Sequence, residues 1–540
     1  MGSMRVSVRP VALIAAGLVA ASGVAGCSSH SGTSSRSTAA SGAAGAARPG
    51  PAPAAQGPQA GQGAVRVQPR GGASPTPPGP RAGNRPDDDE QWPPPHDVDP
   101  AREPQSTFTM DVDTASYGYA RAQLAGGGRP SPDRVRPEEF VNGFRQDYPE
   151  PAGNGFTVTM DGARLPQEHR TTPAGDVRLL RVGLQTRAED RAGRPDAALT
   201  VVVDVSGSMG DPGKLDVVRA ALHALVDGAR PTDSLALVTF SDEARVLQPM
   251  TSLRERGRLH AAVDELRAEG STGLEAGLVT GYQVAREGYR EGATNRVVLL
   301  SDGLANVGAT DAAPILEQVR EQAAWESGGR ITLLGVAVGR DYADDMMERL
   351  ADRGDGMVVY VSEADQARRS FVDTLPAALP LRALDAKVQV TFDPRTVAGY
   401  RLVGYDDRRL DSEEFRDDRV DGGEVLAGHS VTALYLVRLR AGAGGQVAHA
   451  QLRWQDPDTR DARETGADVA VADLGTPLAR SAPRLEADYA AAFFAEELRG
   501  GPYTSPVPDG VLARIAAAAG DRTEDGAVRE LAELSGRTGC

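Results

Sequence analysis

The sequence predicts the α/β fold class, with a central domain built on a doubly wound, Rossmann-like and mostly parallel sheet. Amphipathic helical stretches, such as 215–228 and 274–288, alternate with short apolar runs. The apolar runs have the length of buried strands, and they lie at 198–205, 234–240, 295–300, 331–338 and 357–361. Buried strands separated by helices form parallel sheets that are covered on both faces. Ligands of such sheets bind at the carboxyl ends of the strands.

The N-terminus has the order of an export signal at residues 1–26. Arg5 and Arg9 precede an apolar run at 11–19, and small residues then lead to Cys27. The run is too short to span a bilayer comfortably, so a signal peptide is favoured over a membrane helix. The residues before Cys27 resemble the lipobox of bacterial lipoproteins, which implies that its thiol is acylated. We therefore expect a lipid-anchored protein on the extracytoplasmic face of the cell membrane; an ordinary secretory signal that happens to contain a cysteine is the alternative.

Residues 27–104 are predicted to form a disordered tether rich in Pro, Gly, Ala and Ser. Such a composition has too little apolar surface to offset the entropy of ordering. The rest of the chain divides into a small N-terminal α+β region at 105–195, the central domain at 196–375 and a C-terminal region at 376–540. The C-terminal region is predicted to be β-rich and then helical. Its strand patterns lie at 386–392, 400–404, 430–440 and 447–454, and its Ala-rich helical stretches at 484–498 and 511–534.

The composition excludes several function classes. Acidic residues outnumber basic ones, 75 against 59, and the net charge of −16 argues against nucleic acid as a partner. The two cysteines, Cys27 and Cys540, exclude a disulfide framework and a Cys-based zinc site. The only lysines are Lys214 and Lys387, so the other 57 basic residues are arginines. Because Ala, Gly and Pro are also abundant, we ascribe the arginine excess to codon composition.

Oxygen-bearing side chains follow three of the predicted elements. Asp204, Ser206 and Ser208 alternate directly after the first strand, Thr272 precedes a helix, and Asp302 follows a third strand. We expect all five at one edge of the sheet. Oxygen donors without His or Cys suit a hard cation such as Mg²⁺, or else Mn²⁺ or Ca²⁺.

The charges of these side chains suggest how such a cation would act. The three hydroxyls are neutral, so Asp204 and Asp302, acting partly through water, leave the ion short of negative charge. A vacant position beside the ion then attracts a carboxylate. We predict that an Asp or Glu of an unidentified protein or envelope component completes the coordination, so that metal and partner bind together.

The five residues resemble a known site. The order Asp-x-Ser-x-Ser, then Thr272 and then Asp302, is similar to the metal-ion-dependent adhesion site of von Willebrand factor type A (VWA) domains, with every motif position matched. Segments at 108–117, 401–405 and 427–435 resemble those of YfbK-like bacterial lipoproteins. The resemblance implies a VWA domain between two family-specific regions, a role in binding or assembly at the cell envelope, and no assigned reaction.

Three functions remain open at this point. A cation-dependent binding module is favoured, because a metal-assisted hydrolase needs a general base or a second ion and the sequence presents neither. The third is an envelope scaffold with a structural metal. A degenerate site, in which Ser206 and Thr272 only cap helices, is the alternative to metal binding.

Three other patterns are interpreted as structural. Asp113 or Thr114 is predicted to cap a helix at 117–124, in preference to forming a second cation site. Lys214 lies among glycines, but the spacing of a phosphate loop is absent and Leu215 replaces the required Ser or Thr. His223 and His260 are predicted on helix surfaces or in the core.

Overall fold

The computed structural model describes most of the chain after residue 96. The described residues are 97–110, 114–169, 175–189, 193–302, 315, 331–338, 357–361, 381–406, 409–417, 420, 422–457, 459–500, 507–508 and 510–537. The predicted signal peptide, most of the tether, Cys27 and Cys540 lie outside them. Within these ranges, the helices are too short or too polar to cross a membrane.

The elements of the described residues fall into strands and helices with the following bounds. The strands are β1 (Gln105–Thr109), β2 (Phe156–Arg164), β3 (Asp176–Thr186), β4 (Ala197–Asp204), β5 (Ser234–Phe240), β6 (Ala244–Ser252), β7 (Thr294–Ser301), β8 (Thr332–Val338), β9 (Met357–Val361), β10 (Leu381–Phe392), β11 (Val397–Val403), β12 (Arg409–Leu410), β13 (Val425–Leu426), β14 (Ser430–Leu439), β15 (Gln446–Gln455) and β16 (Ala462–Ala470). The helices are α1 (Ala115–Ala125), α2 (Pro137–Asn142), α3 (Leu215–Gly228), α4 (Arg256–Asp264), α5 (Leu274–Glu287), α6 (Pro483–Arg499), α7 (Val511–Thr523) and α8 (Gly526–Arg537).

The central sheet has the strand order β6-β5-β4-β7-β8-β9, and only β6 runs antiparallel to its neighbour. The predicted doubly wound, mostly parallel sheet is therefore confirmed, and the five predicted strands end within one residue of the observed bounds. After β4 the chain goes to β5 on one side, and it later returns to β7 on the other side of β4. This switch in strand order opens a crevice at the carboxyl ends of β4 and β7, the usual place for a ligand.

Helices cover both faces of the central sheet. On one face, Val201 and Val203 of β4 pack with Leu222 of α3 and with α4, and on the other face Val202 packs with α5. Burying such a side chain contributes roughly 1.5–3 kcal/mol. Helix α5 lies very close to the sheet, since a Cβ at Gly281 would meet the Val202 side chain at 2.4 Å. This close packing fixes the start of α5 near the end of β4.

The regions on either side of the central domain share one antiparallel β-sandwich. One sheet has the order β12-β1-β10-β15-β16, with β13 on β10, and the other has the order β11-β14-β3-β2. β1 pairs with β10, and β3 pairs with β14, so each sheet joins strands from before and after the central domain. Residues of both sheets, such as Phe108 and Tyr435, form one core. The predicted C-terminal strands are confirmed as β10, β11, β14 and β15, whereas the domain boundaries stay a prediction.

A helical layer made of α1, α2, α6, α7 and α8 packs around a second core that includes Phe140, Phe494 and Leu531. The predicted helical stretch at 511–534 is helical, but it forms two helices and not one. Glu524 adopts a left-handed φ of 55° and separates α7 from α8. Thr114 occupies the predicted N-cap position of α1, but its side chain makes no cap hydrogen bond. Asp113 lies outside the described residues.

His223 and His260 lie on helix surfaces, which is one of the two predicted placements, and not in the core. His223 of α3 and His260 of α4 are partly exposed, and their Nδ1 atoms are 2.8 Å apart. Their Nε2 atoms face Asp264 and Asp227 across the two helices. This contact ties α3 to α4 on the outside of the domain.

Candidate functional site

Asp204 is the last residue of β4 and is fully buried. Its Oδ1 accepts a hydrogen bond of 2.8 Å from the backbone N–H of Ser206, and its Oδ2 accepts one of 2.6 Å from the hydroxyl of Ser301, which ends β7. Burial raises the pKa of Asp204; the hydrogen bonds lower it in part, and the nearby charge of Asp302 raises it further. The negative charge at Asp204 is therefore costly until a cation approaches it.

The loop after β4 presents two hydroxyls side by side. The Oγ atoms of Ser206 and Ser208 are 3.1 Å apart, in a short 3-10 turn at Gly207–Gly210. Ser206 occupies the N-cap position of that turn, but its side chain makes no cap hydrogen bond. The N-cap of α5 is Gly273, not Thr272. Capping is therefore wrong for the Ser206 side chain, whereas metal binding at these residues stays a prediction.

The loop that carries Thr272 is fastened to the loop after β4 by backbone hydrogen bonds. The N–H of Glu269 donates to the carbonyl of Val205 over 2.6 Å, and the N–H of Gly207 donates to that of Gly270 over 3.0 Å. Gly270 has a left-handed φ of 72°, and a Cβ there would meet Asp242 at 2.5 Å. Thr272 itself is buried. The predicted residue thus lies in a loop that is held against Ser206 and Ser208.

Asp242, after β5, is a positioning residue that is not among the five site residues predicted from the sequence. Its Oδ1 accepts a hydrogen bond of 3.1 Å from the N–H of Ser271, so it fixes the same loop. An Asp two residues after the end of a strand, at the same sheet edge, is the sequence signal that could have revealed it.

Asp302 follows β7 and is buried next to Lys214, the residue just before α3. Lys214 Nζ lies 3.1 Å from Asp302 Oδ2 and 3.5 Å from Oδ2 of the exposed Asp211. Asp302 Oδ1 is also buried and has no hydrogen-bond partner among the described residues. No motif in the sequence gives Lys214 a role at this site, although the rarity of lysine in the chain is a signal that could have pointed to it.

The donor set at this edge fits a hard divalent cation. It consists of carboxylate and hydroxyl oxygens from Asp204, Ser206, Ser208, Thr272 and Asp302, and one buried carboxylate oxygen is left without a hydrogen bond. Mg²⁺, Mn²⁺ and Ca²⁺ prefer such oxygens, whereas zinc and copper favour nitrogen and sulfur. The described residues contain no group of three or more His, Cys, Asp and Glu side chains that could hold a metal; the candidate site itself has two carboxylates, and its other oxygens are hydroxyls.

Models of known families match three parts of the chain. The von Willebrand factor type A domain matches residues 198–373, and the C-terminal domain of the uncharacterized protein YfbK matches residues 377–446. A further von Willebrand factor family matches residues 93–172. The first match covers the parallel sheet with the candidate site, and the other two cover strands of the sandwich.

Individual proteins are similar to larger parts of the chain. The uncharacterized protein YfbK of Escherichia coli strain K12 is 34% identical over 371 residues, which are 67% of this chain and 62% of YfbK. The uncharacterized protein sll0103 of Synechocystis is 28% identical over 36% of this chain and 44% of its own length. The match thus spans less than two thirds of either relative. A solved structure, von Willebrand factor type A from Catenulispora acidiphila, covers 72% of this chain and 91% of its own, with 16% identity and a TM-score of 0.41.

Proposed function

Because the chain carries a von Willebrand factor type A domain followed by the C-terminal domain of YfbK, we propose that it is a protein-binding module whose binding depends on a divalent cation. Type A domains typically mediate interactions between proteins. The metal dependence is the part proposed here. The observation that carries it is the buried pair Asp204 and Asp302, of which one oxygen has no hydrogen-bond partner among the described residues.

The residues that would hold the cation are Asp204, Ser206, Ser208, Thr272 and Asp302, and Mg²⁺ is the ion proposed. A bound Mg²⁺ would supply a positive centre that attracts an oxygen anion. The protein side chains hold the surrounding oxygens in place, through the hydrogen bonds from Ser301 and from the Ser206 backbone to Asp204. The partner is proposed to be a protein or envelope component that offers an Asp or Glu carboxylate, and not a nucleic acid.

Binding, and not catalysis, is the proposed role of this cation. A metal-assisted hydrolysis requires a general base close to the metal-bound water, or a second ion. Of the acids beside the site, Asp242 accepts a hydrogen bond from the backbone of the Thr272 loop, and the exposed Asp211 lies next to the ammonium of Lys214. Asp204 is likewise engaged, since both of its oxygens accept hydrogen bonds.

The metal dependence can be tested with Asp204→Asn. This change removes one charge and keeps an acceptor for the Ser206 N–H, so the fold is expected to persist while Mg²⁺ binding in calorimetry is lost. Capture of envelope proteins on the immobilised chain should require Mg²⁺, stop in EDTA and be lost in the variant. The matched control is Asp521→Asn, at an exposed position of α7. Capture that survives EDTA unchanged would contradict the proposal.

We further propose that the chain is held at the extracytoplasmic face of the cell membrane by a lipid on Cys27. The support is the sequence alone: Arg5 and Arg9, the apolar run at 11–19 and the small residues before the cysteine. Acyl chains would attach the protein without help from its negative charge. Cys27→Ser should move the protein from the membrane fraction to the soluble fraction, and continued membrane association would disprove the lipid assignment.

A further inference from the structure

Lys214 is placed where the rules for a helix disfavour it. It is the N-cap residue of α3 and makes no side-chain cap hydrogen bond. Ser, Thr, Asn and Asp are preferred at this position, and a cation at a helix N-terminus opposes the helix dipole. Nevertheless its side chain is only 12% exposed, with Nζ 3.1 Å from Asp302 Oδ2. The carboxylate, and not the helix, therefore holds this ammonium in place.

The choice of lysine over arginine also matters in this chain, since 57 of its 59 basic residues are arginines. A guanidinium binds both oxygens of a carboxylate, as Arg194 does with Asp233 over 3.0 and 2.6 Å. The compact ammonium of Lys214 binds one oxygen of Asp302 and leaves Oδ1 without a hydrogen bond among the described residues. The other lysine, Lys387, is also buried, and donates to the backbone carbonyl of Asp417. Lysine thus neutralises the charge of Asp302 and still leaves one of its carboxylate oxygens available to a ligand.

The charge of Lys214 changes what a bound cation would need. The two negative charges of Asp204 and Asp302 equal the charge of a divalent cation, so the shortage of negative charge expected from the sequence arises only when Lys214 is counted as well. With Lys214, the loaded site has one positive charge in excess. Asp211 lies 3.5 Å from the ammonium but is exposed, so solvent screens much of its charge. One further carboxylate, brought by another molecule, restores neutrality.

We propose that Lys214 is a built-in counter-cation that weakens metal binding alone and thereby couples it to binding of a singly charged carboxylate; this rests on the proposed function of the same site. In the metal-free protein the ammonium neutralises Asp302. In the loaded protein its charge favours the acidic group of the partner. Because coupling is reciprocal, the carboxylate strengthens cation binding as much as the cation strengthens carboxylate binding.

The test compares Lys214→Met and Lys214→Arg with the wild type, using calorimetric titration with Mg²⁺ alone. Loss of the charge in Lys214→Met should raise Mg²⁺ affinity on the order of tenfold and lower the metal-free melting temperature, because Asp302 then loses its counter-charge. Lys214→Arg should lower Mg²⁺ affinity, since the guanidinium can close both oxygens. Lys387→Met, at the other buried lysine, is the matched control and should leave Mg²⁺ affinity unchanged. If that control does not fold, Asp521→Asn replaces it.

The coupling is measured by repeating the Mg²⁺ titration with a short peptide that contains a single glutamate. The peptide should strengthen Mg²⁺ binding to the wild type, and this gain should shrink in Lys214→Met. Equal Mg²⁺ affinities in the wild type and Lys214→Met would overturn the inference, while the proposed function would stand if Asp204→Asn still abolished binding. Mg²⁺ binding to Lys214→Met alone, but to the wild type only in the presence of the peptide, would support both proposals. No Mg²⁺ binding to either would overturn both.

Discussion

Buried aspartates at the two ends of the parallel sheet have different kinds of partners. At the amino end, Asp233 precedes β5 and forms a two-pronged ion pair with the buried Arg194. Its oxygens also accept hydrogen bonds from the backbone N–H groups of Ala197 and Arg230. At the carboxyl end, Asp204 accepts two neutral hydrogen bonds, and Asp302 shares one oxygen with Lys214.

The pKa values reflect this difference in partners. Burial opposes ionisation of Asp233, but the hydrogen bonds and charge of Arg194, together with the two backbone N–H groups, outweigh burial and lower its pKa. Burial dominates at Asp204 and raises its pKa. Both side chains are almost inaccessible to solvent, but they differ in their partners. At the amino end, the internal partners of Asp233 favour its charge and stabilise the fold, whereas the charge of Asp204 at the carboxyl end lacks a cationic partner of its own.

The largest expected effect is on the free energy of unfolding, when the charge of one buried aspartate is removed at either end of the sheet. Asp233→Asn should destabilise the protein by about 3–5 kcal/mol, because it leaves Arg194 as a buried charge without its partner. Asp204→Asn should cost little or nothing in the metal-free protein, since an amide still serves Ser206 and Ser301 and no charged partner is lost. Urea unfolding without divalent cations measures both, and equal losses of stability would show that the two ends are not different in kind.

The strands that the sequence predicts best are buried ones, because a buried strand can be recognised as a short run of apolar residues. β5 and β9 are predicted with the observed bounds, because each is a continuous apolar run. β16 is not predicted, because it is a mostly exposed edge strand without such a run. The same holds for β6, an edge strand that contains Pro249.

Contacts between residues that are distant in the chain also limit how much of the candidate site can be predicted from the sequence. The five oxygen donors can be chosen by residue type and strand position, so the candidate set comes from the sequence. Lys214 meets Asp302 across 88 residues, and β1 pairs with β10 across about half of the chain. Neither contact has a local pattern, because each depends on how sheets and loops assemble. The split between α7 and α8 at Glu524 does have a local signal, because the Asp525-Gly526 pair that follows is typical of turns.

A smaller effect, with a definite sign, concerns acid. The pKa of Asp233 is lowered in the folded protein, so its contribution to stability is present above the ordinary aspartate pKa and is lost as the pH falls through its folded value. Asp233→Asn lacks this contribution at every pH. The difference in unfolding free energy between wild type and variant should therefore shrink on acidification below the ordinary aspartate range. A difference that is constant or grows in acid would show that Arg194 does not stabilise the ionised form.

The smallest expected effect tests whether burial, and not mere proximity, makes the carboxyl end distinctive. Asp211 and Asp302 both lie near the Lys214 ammonium, at 3.5 and 3.1 Å, but the side chain of Asp211 is 71% exposed and that of Asp302 is 2% exposed. Exposed ion pairs contribute about 0–1 kcal/mol because water screens them. Asp211→Asn should therefore change the unfolding free energy by less than about 1 kcal/mol, whereas Asp302→Asn should abolish Mg²⁺ binding. Mg²⁺ binding that is lost in Asp211→Asn as well as in Asp302→Asn would show that the ammonium pairs mainly with the exposed acid. The contrast between the two ends of the sheet would then no longer depend on buried charge.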